Sequence, residues 1–370
     1  MTSSLGSRRI LYALRSSPFV LGVQRHVLDL AHAFSQQGIQ TIIASNPVPF
    51  AGELSAAAGE WLPLTSRGGL IGLGTLGFQL RRIVATHDID VIHSHHRFVT
   101  TAARLFVPDV PLIHTAHNVF TSHRRTTLLG DHVIAVSEAV RRNVVDYFGV
   151  RAESVVTIYN GVRPVAAPAS PPEIDRPFTL LCPARLEPAK GHSTLFRALR
   201  LLRDEGLSIR TVLAGSGSLE TQLRSEIQRL DLSDQVEFVG HQRDPNPLYA
   251  AADAIVLASD QEGLPYALLE AAMHAKPAIA TAVGGVPEII QDRSTGLLVA
   301  CGDASGLATA IRTICVDSDL RDQLGSRARE FASARFSFDS MLQRTAEQYS
   351  ISLARTPAAQ RAVAEPRRIG

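Results

Sequence analysis

The chain is predicted to fold as α/β, in two doubly wound domains built on parallel sheets. Three observations lead there. Short apolar runs of strand character alternate with helical stretches from residue 9 onward. The alternation breaks once, between residues 161 and 177, where Pro164, Pro168, Pro171, Pro172 and Pro177 stand among small residues, and then restarts. The 370 residues exceed what one hydrophobic core usually organises, so two domains are the default.

In the first half, strands are expected at residues 9–14, 39–44, 90–93, 111–114 and 132–136. The helix expected at 23–37 has Val27, Leu30, Ala31 and Phe34 at helical spacing and stops at Gly38. In the second half, strands are expected at 178–182, 209–214, 236–239, 254–257, 278–280 and 296–299. Short apolar strands separated by helices imply parallel sheets covered on both faces. Ligands of such sheets bind beyond the carboxyl ends of the strands, so a cleft faced by both domains is the expected site. The domain plan is 1–162, a Pro-rich linker at 163–177, a second domain at 178–335, and a frayed tail from residue 355.

Hydrophobic content of 45% and charge of 19% are those of an ordinary soluble protein. The apolar run after Arg8 and Arg9 stops at Arg15, too short for a signal peptide, and no 18-residue apolar span occurs. Cys182, Cys301 and Cys315 are widely spaced and odd in number, which points to a reducing compartment. A cytoplasmic protein is therefore expected. The net charge of +2 hides an asymmetry. Residues 1–162 carry 14 Arg against 10 Asp and Glu, whereas residues 163–370 carry 23 basic against 25 acidic residues. A basic first half suits anionic lipid headgroups or a phosphorylated acceptor, or is simply a solvated surface. Nucleic acid is not expected as a partner. Lys190 and Lys276 are the only lysines among 37 basic residues.

Several motifs fail on context. Gly72-Leu-Gly-Thr-Leu-Gly77 has the spacing of a dinucleotide loop, but residues 61–69 do not read as a strand before it. Asp88-Ile-Asp90 leads into a strand at the end away from the ligand edge. The histidines of 93–96 and of 114–117 have metal-ligand spacing, but no Cys or acidic residue nearby completes either set, so no metal is expected.

Three signals survive. The segment Ser259-Asp-Gln-Glu262-Gly263-Leu264-Pro265-Tyr-Ala-Leu-Leu-Glu270 sets two carboxylates across a loop-to-helix junction. Pro265 suits a helix start, and free N–H groups there attract a phosphate. Were the two glutamates joined by helix, eight residues would separate them by about 12 Å. Hydrolytic carboxylate pairs sit roughly 5–9.5 Å apart, so these two suit a grip on two parts of one elongated ligand rather than a single bond. Arg185 and Lys190, just after the first strand of the second domain, suit a diphosphate: Arg as a bidentate donor, Lys as a point charge. A surface cation pair is the plain alternative. His117 follows a first-domain strand at its carboxyl end, where a structural histidine is the plain alternative. Gly215 and Gly217 read as a tight strand-to-helix turn lining the cleft.

These residues resemble the family-4 retaining glycosyltransferases (glycosyltransferase group 1) of the GT-B fold. The likeness covers most of the chain: Arg185-Leu-x3-Lys190-Gly, Leu213-Ala-Gly215-x-Gly217, Ser259-x2-Glu262-Gly-x-Pro-x4-Glu270-Ala and Gly284-Gly285-Val-Pro-Glu288-Ile, with looser matches at Gly22, His114 to His117, Val136-Ser137 and Asn160-Gly161-Val162. The resemblance implies two Rossmann-like domains facing a central cleft, and a final helix within 336–354 returning to the first domain. It implies that Arg185 and Lys190 neutralise a donor diphosphate, that Glu262 contacts the transferred sugar and that Glu270 contacts the ribose. The backbone of Gly263 and Leu264 would meet phosphate or sugar hydroxyls, and His241 would lie by the base. His117 would position the donor sugar, and Gly22 would let a loop approach the phosphates. Two departures stand out: Leu21 precedes Gly22 where relatives often have a second glycine, and Arg163 replaces a common Asp.

The activity so implied is retaining transfer of a hexosyl group from a UDP- or GDP-sugar to a glycan or lipid-linked acceptor. No metal or cofactor would take part. The location would be cytoplasmic, with peripheral association at the inner membrane face, and Arg81, Arg82, Arg124, Arg125, Arg141 and Arg142 are candidate acceptor contacts. A sugar-nucleotide epimerase of the same architecture would use the same diphosphate site. A non-catalytic nucleotide-sugar-binding protein would leave the cations and both glutamates without a joint purpose. A pyridoxal-phosphate phosphorylase would have only Lys190 or Lys276 for its Schiff base.

Overall fold

A computed structural model describes residues 5–15, 22–65, 68–165 and 176–354. They form two compact units, one running to Tyr159 and taking in the residues from Asp339 on, the other Asn160–Phe338. Most of the expected linker, residues 166–175, and the tail 355–370 lie outside the described residues.

The first unit is a seven-stranded parallel sheet. Its strands are β1 (Arg9–Ala13), β2 (Gln40–Ser45), β3 (Gly59–Pro63), β4 (Val91–Ser94), β5 (Leu112–Ala116), β6 (His132–Ala135) and β7 (Val155–Thr157). They lie in the order β3-β2-β1-β4-β5-β6-β7, so the winding reverses between β1 and β4. Helices α1 (Gly22–Gln36), α2 (Ala51–Ala58), α3 (Gly69–His87), α4 (Arg97–Phe106) and α5 (Glu138–Asp146) make the crossovers. On α1 the buried apolar residues are Val27, Leu30, Ala31 and Phe34, the stripe expected from their spacing.

Two strands escape the sequence reading, β3 and β7, and they are the two edges of this sheet. An edge strand is covered on fewer sides and needs less apolar character. β3 accordingly reads Gly-Glu-Trp-Leu-Pro and is only half-buried, and β7 is three residues long. The presence of β3 also corrects the statement that no strand precedes Gly72. The glycine motif still makes no phosphate loop, because residues 72–77 lie inside α3.

The core between sheet and helices is aliphatic, with Leu11, Ile42, Ile92 and Leu112 against Leu76, Leu80, Ile83, Val99 and Ala102. A buried polar chain runs through the other side. Tyr349 of the terminal helix donates its hydroxyl to Tyr12 at 3.0 Å and lies 2.8 Å from His93 Nδ1, while His93 Nε2 lies 2.7 Å from Thr115 Oγ1. Asp88 and Asp90, at the opposite edge of the sheet, are engaged by Arg9 and Arg8 at 2.8 and 2.7 Å.

The second unit is a six-stranded parallel sheet of β8 (Thr179–Cys182), β9 (Arg210–Leu213), β10 (Val236–Phe238), β11 (Ala254–Leu257), β12 (Ala278–Thr281) and β13 (Gly296–Val299). The order is β10-β9-β8-β11-β12-β13, with its reversal between β8 and β11. Helices α6 (His192–Asp204), α7 (Glu220–Arg229), α8 (Asn246–Ala251), α9 (Tyr266–Met273), α10 (Val286–Ile289), α11 (Ala304–Val316) and α12 (Ser318–Arg335) cover it. Helix α13 (Phe338–Ala354) follows and carries Tyr349. At the amino edge, Arg176 clamps Asp253 with two bonds of 2.7 and 2.8 Å.

Candidate functional site

The reversal between β8 and β11 opens the carboxyl edge of the second sheet, and four loops meet there. They are residues 183–191 after β8, 214–219 after β9, 258–265 after β11 and 282–285 after β12. Backbone groups tie them together. Leu186 N–H donates to Ser216 at 3.1 Å and Leu219 N–H donates to Leu186 at 3.0 Å. Asp260 N–H donates to the Ala189 carbonyl at 2.9 Å, which fixes the turn Pro188–Lys190 against the Glu262 loop. The Glu187 carboxylate accepts from Ser218 N–H and Oγ, and these bonds hold its pKa below the usual carboxylate range.

Such close approach of loops requires glycine, as two positions illustrate. A Cβ on Gly215 would fall 2.0 Å from the Ala184 carbonyl oxygen, beside Arg185. Gly284 has φ of +53°, and a Cβ there would fall 1.7 Å from the Glu262 carbonyl oxygen. Gly215 therefore sets the spacing of two loops.

At the centre of the cluster is an ion pair. Lys190 Nζ lies 2.5 Å from Glu262 Oε1, with the two side chains only 17% and 7% exposed. Ser259 Oγ donates to the same oxygen at 2.7 Å, and Thr281 Oγ1 bonds the Ser259 carbonyl. Lys190 is thus not a free cation beside an empty anion position; its charge is shared with the carboxylate expected to meet the sugar. Arg185 is exposed and its guanidinium makes no hydrogen bond or ion pair among the described residues.

Gly263 and Leu264 are buried, and the Leu264 carbonyl accepts a 2.7 Å bond from Asn160 Nδ2. Pro265 is the N-cap of α9, with φ of −70°, one place before the first helical residue. Glu270 lies on α9 and is half-buried, and its Oε2 accepts the Tyr249 hydroxyl at 2.8 Å. The Tyr249 ring stacks on His274 at 5.4 Å and 15°. His241 follows β10; burial and then Arg243 lower its pKa. Cys182 ends β8 beneath the loops, and burial pushes its thiol up to about 12, so it offers no thiolate. His192 opens α6 with neither ring nitrogen partnered among the described residues, and burial followed by Lys190 lowers its pKa to about 4.

Of the residues expected from sequence, Arg185, Lys190, Gly215, Glu262, Gly263 and Leu264 come together in this loop cluster. Glu270 and His241 sit on the following helix and on the loop after β10. Ser259 and Tyr249 are the additions. Ser259 stood inside the 259–270 segment without a role, and Tyr249 carried no signal beyond an apolar position on a short helix.

Gly22 and His117 belong to the first unit. Gly22 is exposed at the first residue of α1. His117 follows β5, half-buried, its pKa held well below the ordinary value by burial and then by His26, His114 and His93. His95 Nδ1 stands 3.0 Å from His117 Nε2, and His26 of α1 brings a third imidazole to the same place. The spacing of the two histidine pairs in sequence gives no sign of this third imidazole, which comes from a helix far upstream. Of the candidate acceptor arginines, Arg141 is committed to the Val155 and Ala152 carbonyls at 3.3 and 3.4 Å.

Residues 20–166 match the family described as Glycosyltransferase Family 4, and residues 167–331 match Glycosyl transferases group 1. The putative glycosyltransferase EpsD of Bacillus subtilis is 28% identical over 304 residues, 74% of this chain and 79% of that one. A GDP-mannose-dependent alpha-(1-6)-phosphatidylinositol monomannoside mannosyltransferase of Mycobacterium tuberculosis is 27% identical over 311 residues, again 74% and 79%. Among solved structures, Anabaena Alr3699/HepE in complex with UDP-glucose superimposes with a TM-score of 0.81 at 23% identity, over 93% of this chain and 99% of that one. A glycosyltransferase from Rickettsia africae gives 0.79 at 22%, over 95% and 100%. With both domain families matched in order and both sheets doubly wound, this chain is a hexosyltransferase of GT-B fold and belongs to the family-4, group 1 glycosyltransferases.

Proposed function

We propose that the protein transfers a hexosyl group, with retention of anomeric configuration, from a UDP- or GDP-sugar to a glycan or lipid-linked acceptor in polysaccharide or glycoconjugate synthesis. The observation that carries this reading is the buried Lys190–Glu262 pair at the meeting of four strand-end loops. The loop after β8 supplies countercharge for a diphosphate from Arg185 and Lys190. Fixed donors aimed at a departing anion are the largest catalytic term available to such a site and need no metal. Donor phosphate would draw Lys190 away from Glu262 and leave that carboxylate, still held by Ser259, to bond a sugar hydroxyl. Glu270, held by Tyr249, takes the ribose, and His241 takes the base side. The backbone of Gly263 and Leu264 meets the phosphate or sugar. His117 positions the donor sugar, and Gly22 lets its loop approach the phosphates.

Retention proceeds by attack on the face the leaving group vacates. The leaving diphosphate oxygen takes the acceptor hydroxyl's proton as the new glycosidic bond forms and the old sugar–phosphate bond breaks. This reading is supported by the burial of Cys182, which withholds a thiolate nucleophile from the loop cluster.

A lipid-linked acceptor at the inner face of the cytoplasmic membrane is supported by the surface of the first unit. No helix among the described residues is long and apolar enough to cross a membrane. Instead α3 exposes Leu70, Ile71 and Phe78 on its amino half, followed by exposed Arg81 and Arg82.

The test is Glu262→Ala with nucleotide-sugar and acceptor. Transfer should be abolished while nucleotide binding persists. Near-normal turnover in that variant would end the site assignment, and conversion of the donor sugar without an acceptor would favour an epimerase.

A further inference from the structure

The carboxyl edge of the first sheet carries a side-chain cluster of which the proposed sugar transfer uses only His117. His26 comes from the start of α1, His95 follows β4 and His117 follows β5. One ring nitrogen of each lies within 4.8 Å of those of the other two. His95 and His117 are stacked at 5.3 Å and 29°, with Nδ1 and Nε2 3.0 Å apart. The His26 ring is set across both, at 60° to His95 and 81° to His117. His26 and His95 are buried, and His95 Nε2 has no hydrogen-bond partner among the described residues. Packing alone does not call for three basic rings, delivered by three separate elements, at one point.

We propose that His26, His95 and His117 form a binding site for one divalent transition metal ion of the zinc class. Imidazole nitrogen suits Zn2+, Co2+, Ni2+ and Cu2+, whereas Mg2+ and Ca2+ demand oxygen. Zn–N bonds of about 2.0–2.1 Å put tetrahedral ligand nitrogens about 3.4 Å apart, close to the spacing His95 and His117 already have. The His26 nitrogen lies within 4.8 Å of both. Three protein ligands leave the fourth position to water or to an anionic oxygen. The cluster is also braced from behind. The His95 ring packs at 4.2 Å on His93, whose two nitrogens are fixed by Tyr349 and Thr115. Such outer contacts orient ligand rings.

A bound metal takes the His117 lone pair, so it would also inhibit transfer; that consequence rests on the proposed role of His117. The experiment titrates the metal-stripped full chain with Zn2+ by calorimetry and with Co2+ by visible absorption. The expected result is one equivalent bound, the intense visible bands of four-coordinate Co2+, and a Kd weakened on the order of 100-fold or more in His26→Gln and in His95→Gln. His32→Gln, exposed on the same helix, should keep the affinity. No uptake by the wild-type chain, the weak spectrum of six-coordinate Co2+, or an unchanged Kd in His26→Gln would overturn the site. The wild-type Co2+ spectrum decides even if a variant fails to fold. Binding with those signatures but without inhibition would leave the site standing and remove His117 from the transfer reaction.

Discussion

Lys190 and Glu262, 72 positions apart in sequence, form the ion pair at the heart of the donor-side loops, with Nζ and Oε1 at 2.5 Å. Breaking a buried pair from one side leaves an uncompensated charge and costs roughly 3–5 kcal/mol. Lys190→Met should therefore lower the melting temperature, and adding Glu262→Gln should restore most of the loss. Transfer should be absent from both variants. Calorimetric melting beside an activity assay checks this; equal stability of the single and double variants would show that the pair does not couple.

Tyr249 fixes one oxygen of Glu270 at 2.8 Å. Tyr249→Phe removes that bond and keeps the stack on His274. A hydrogen bond of this kind contributes about 1 kcal/mol, so nucleotide affinity should fall ~5-fold. The fall should appear in the donor KM more than in kcat. An effect on kcat alone would separate Glu270 from the ribose.

Acid should destabilise the protein through its buried histidines. Burial, then His96 and Arg97, lower His114 to about 3, while burial and then Lys190 lower His192 to about 4. The unfolded chain titrates near the ordinary value of 6.5 and takes up protons first as pH falls. The stability these groups contribute is complete above about pH 6.5 and is lost progressively toward pH 4 and below. Denaturant melts from pH 7.5 to 5 should show the decline. His192→Leu, which removes a ring with no hydrogen-bond partner among the described residues, should make it shallower. An unchanged slope would exclude His192 as a contributor.

Sedimentation with vesicles tests the membrane reading. The chain should bind vesicles rich in anionic lipid and not neutral ones. Leu70→Asp with Ile71→Asp should abolish binding without altering stability, since both residues are 87% exposed. Equal binding by that variant would move the contact elsewhere on the surface.

How much was legible in the sequence follows from what each element must bury. The central strands read clearly because both faces are covered, and α1 read clearly because Val27, Leu30, Ala31 and Phe34 share one stripe. Strands β3 and β7 did not, because an edge leaves them half-exposed or very short. The donor-side residues could be named because Arg, Lys, Glu and Gly fell at strand ends with fixed spacing. Their pairing could not. Nothing in the spacing of 185–190 and 259–270 says that Lys190 turns to Glu262 rather than to solvent. The histidine cluster was missed for the same reason: its third member comes from a helix separated by three strands of sequence.

The loops after β8, β9 and β11 are fastened to one another by main-chain hydrogen bonds, such as Asp260 to Ala189 and Leu186 to Ser216, and Gly284 after β12 packs against the Glu262 carbonyl. Main-chain contacts survive most changes of side chain. A framework fastened in this way can exchange one sugar or nucleotide for another by substitutions at its tips, with little loss of folding. Donor preference should therefore drift readily among descendants of this sequence, whereas a side chain at Gly215 or Gly284 would unseat the framework itself.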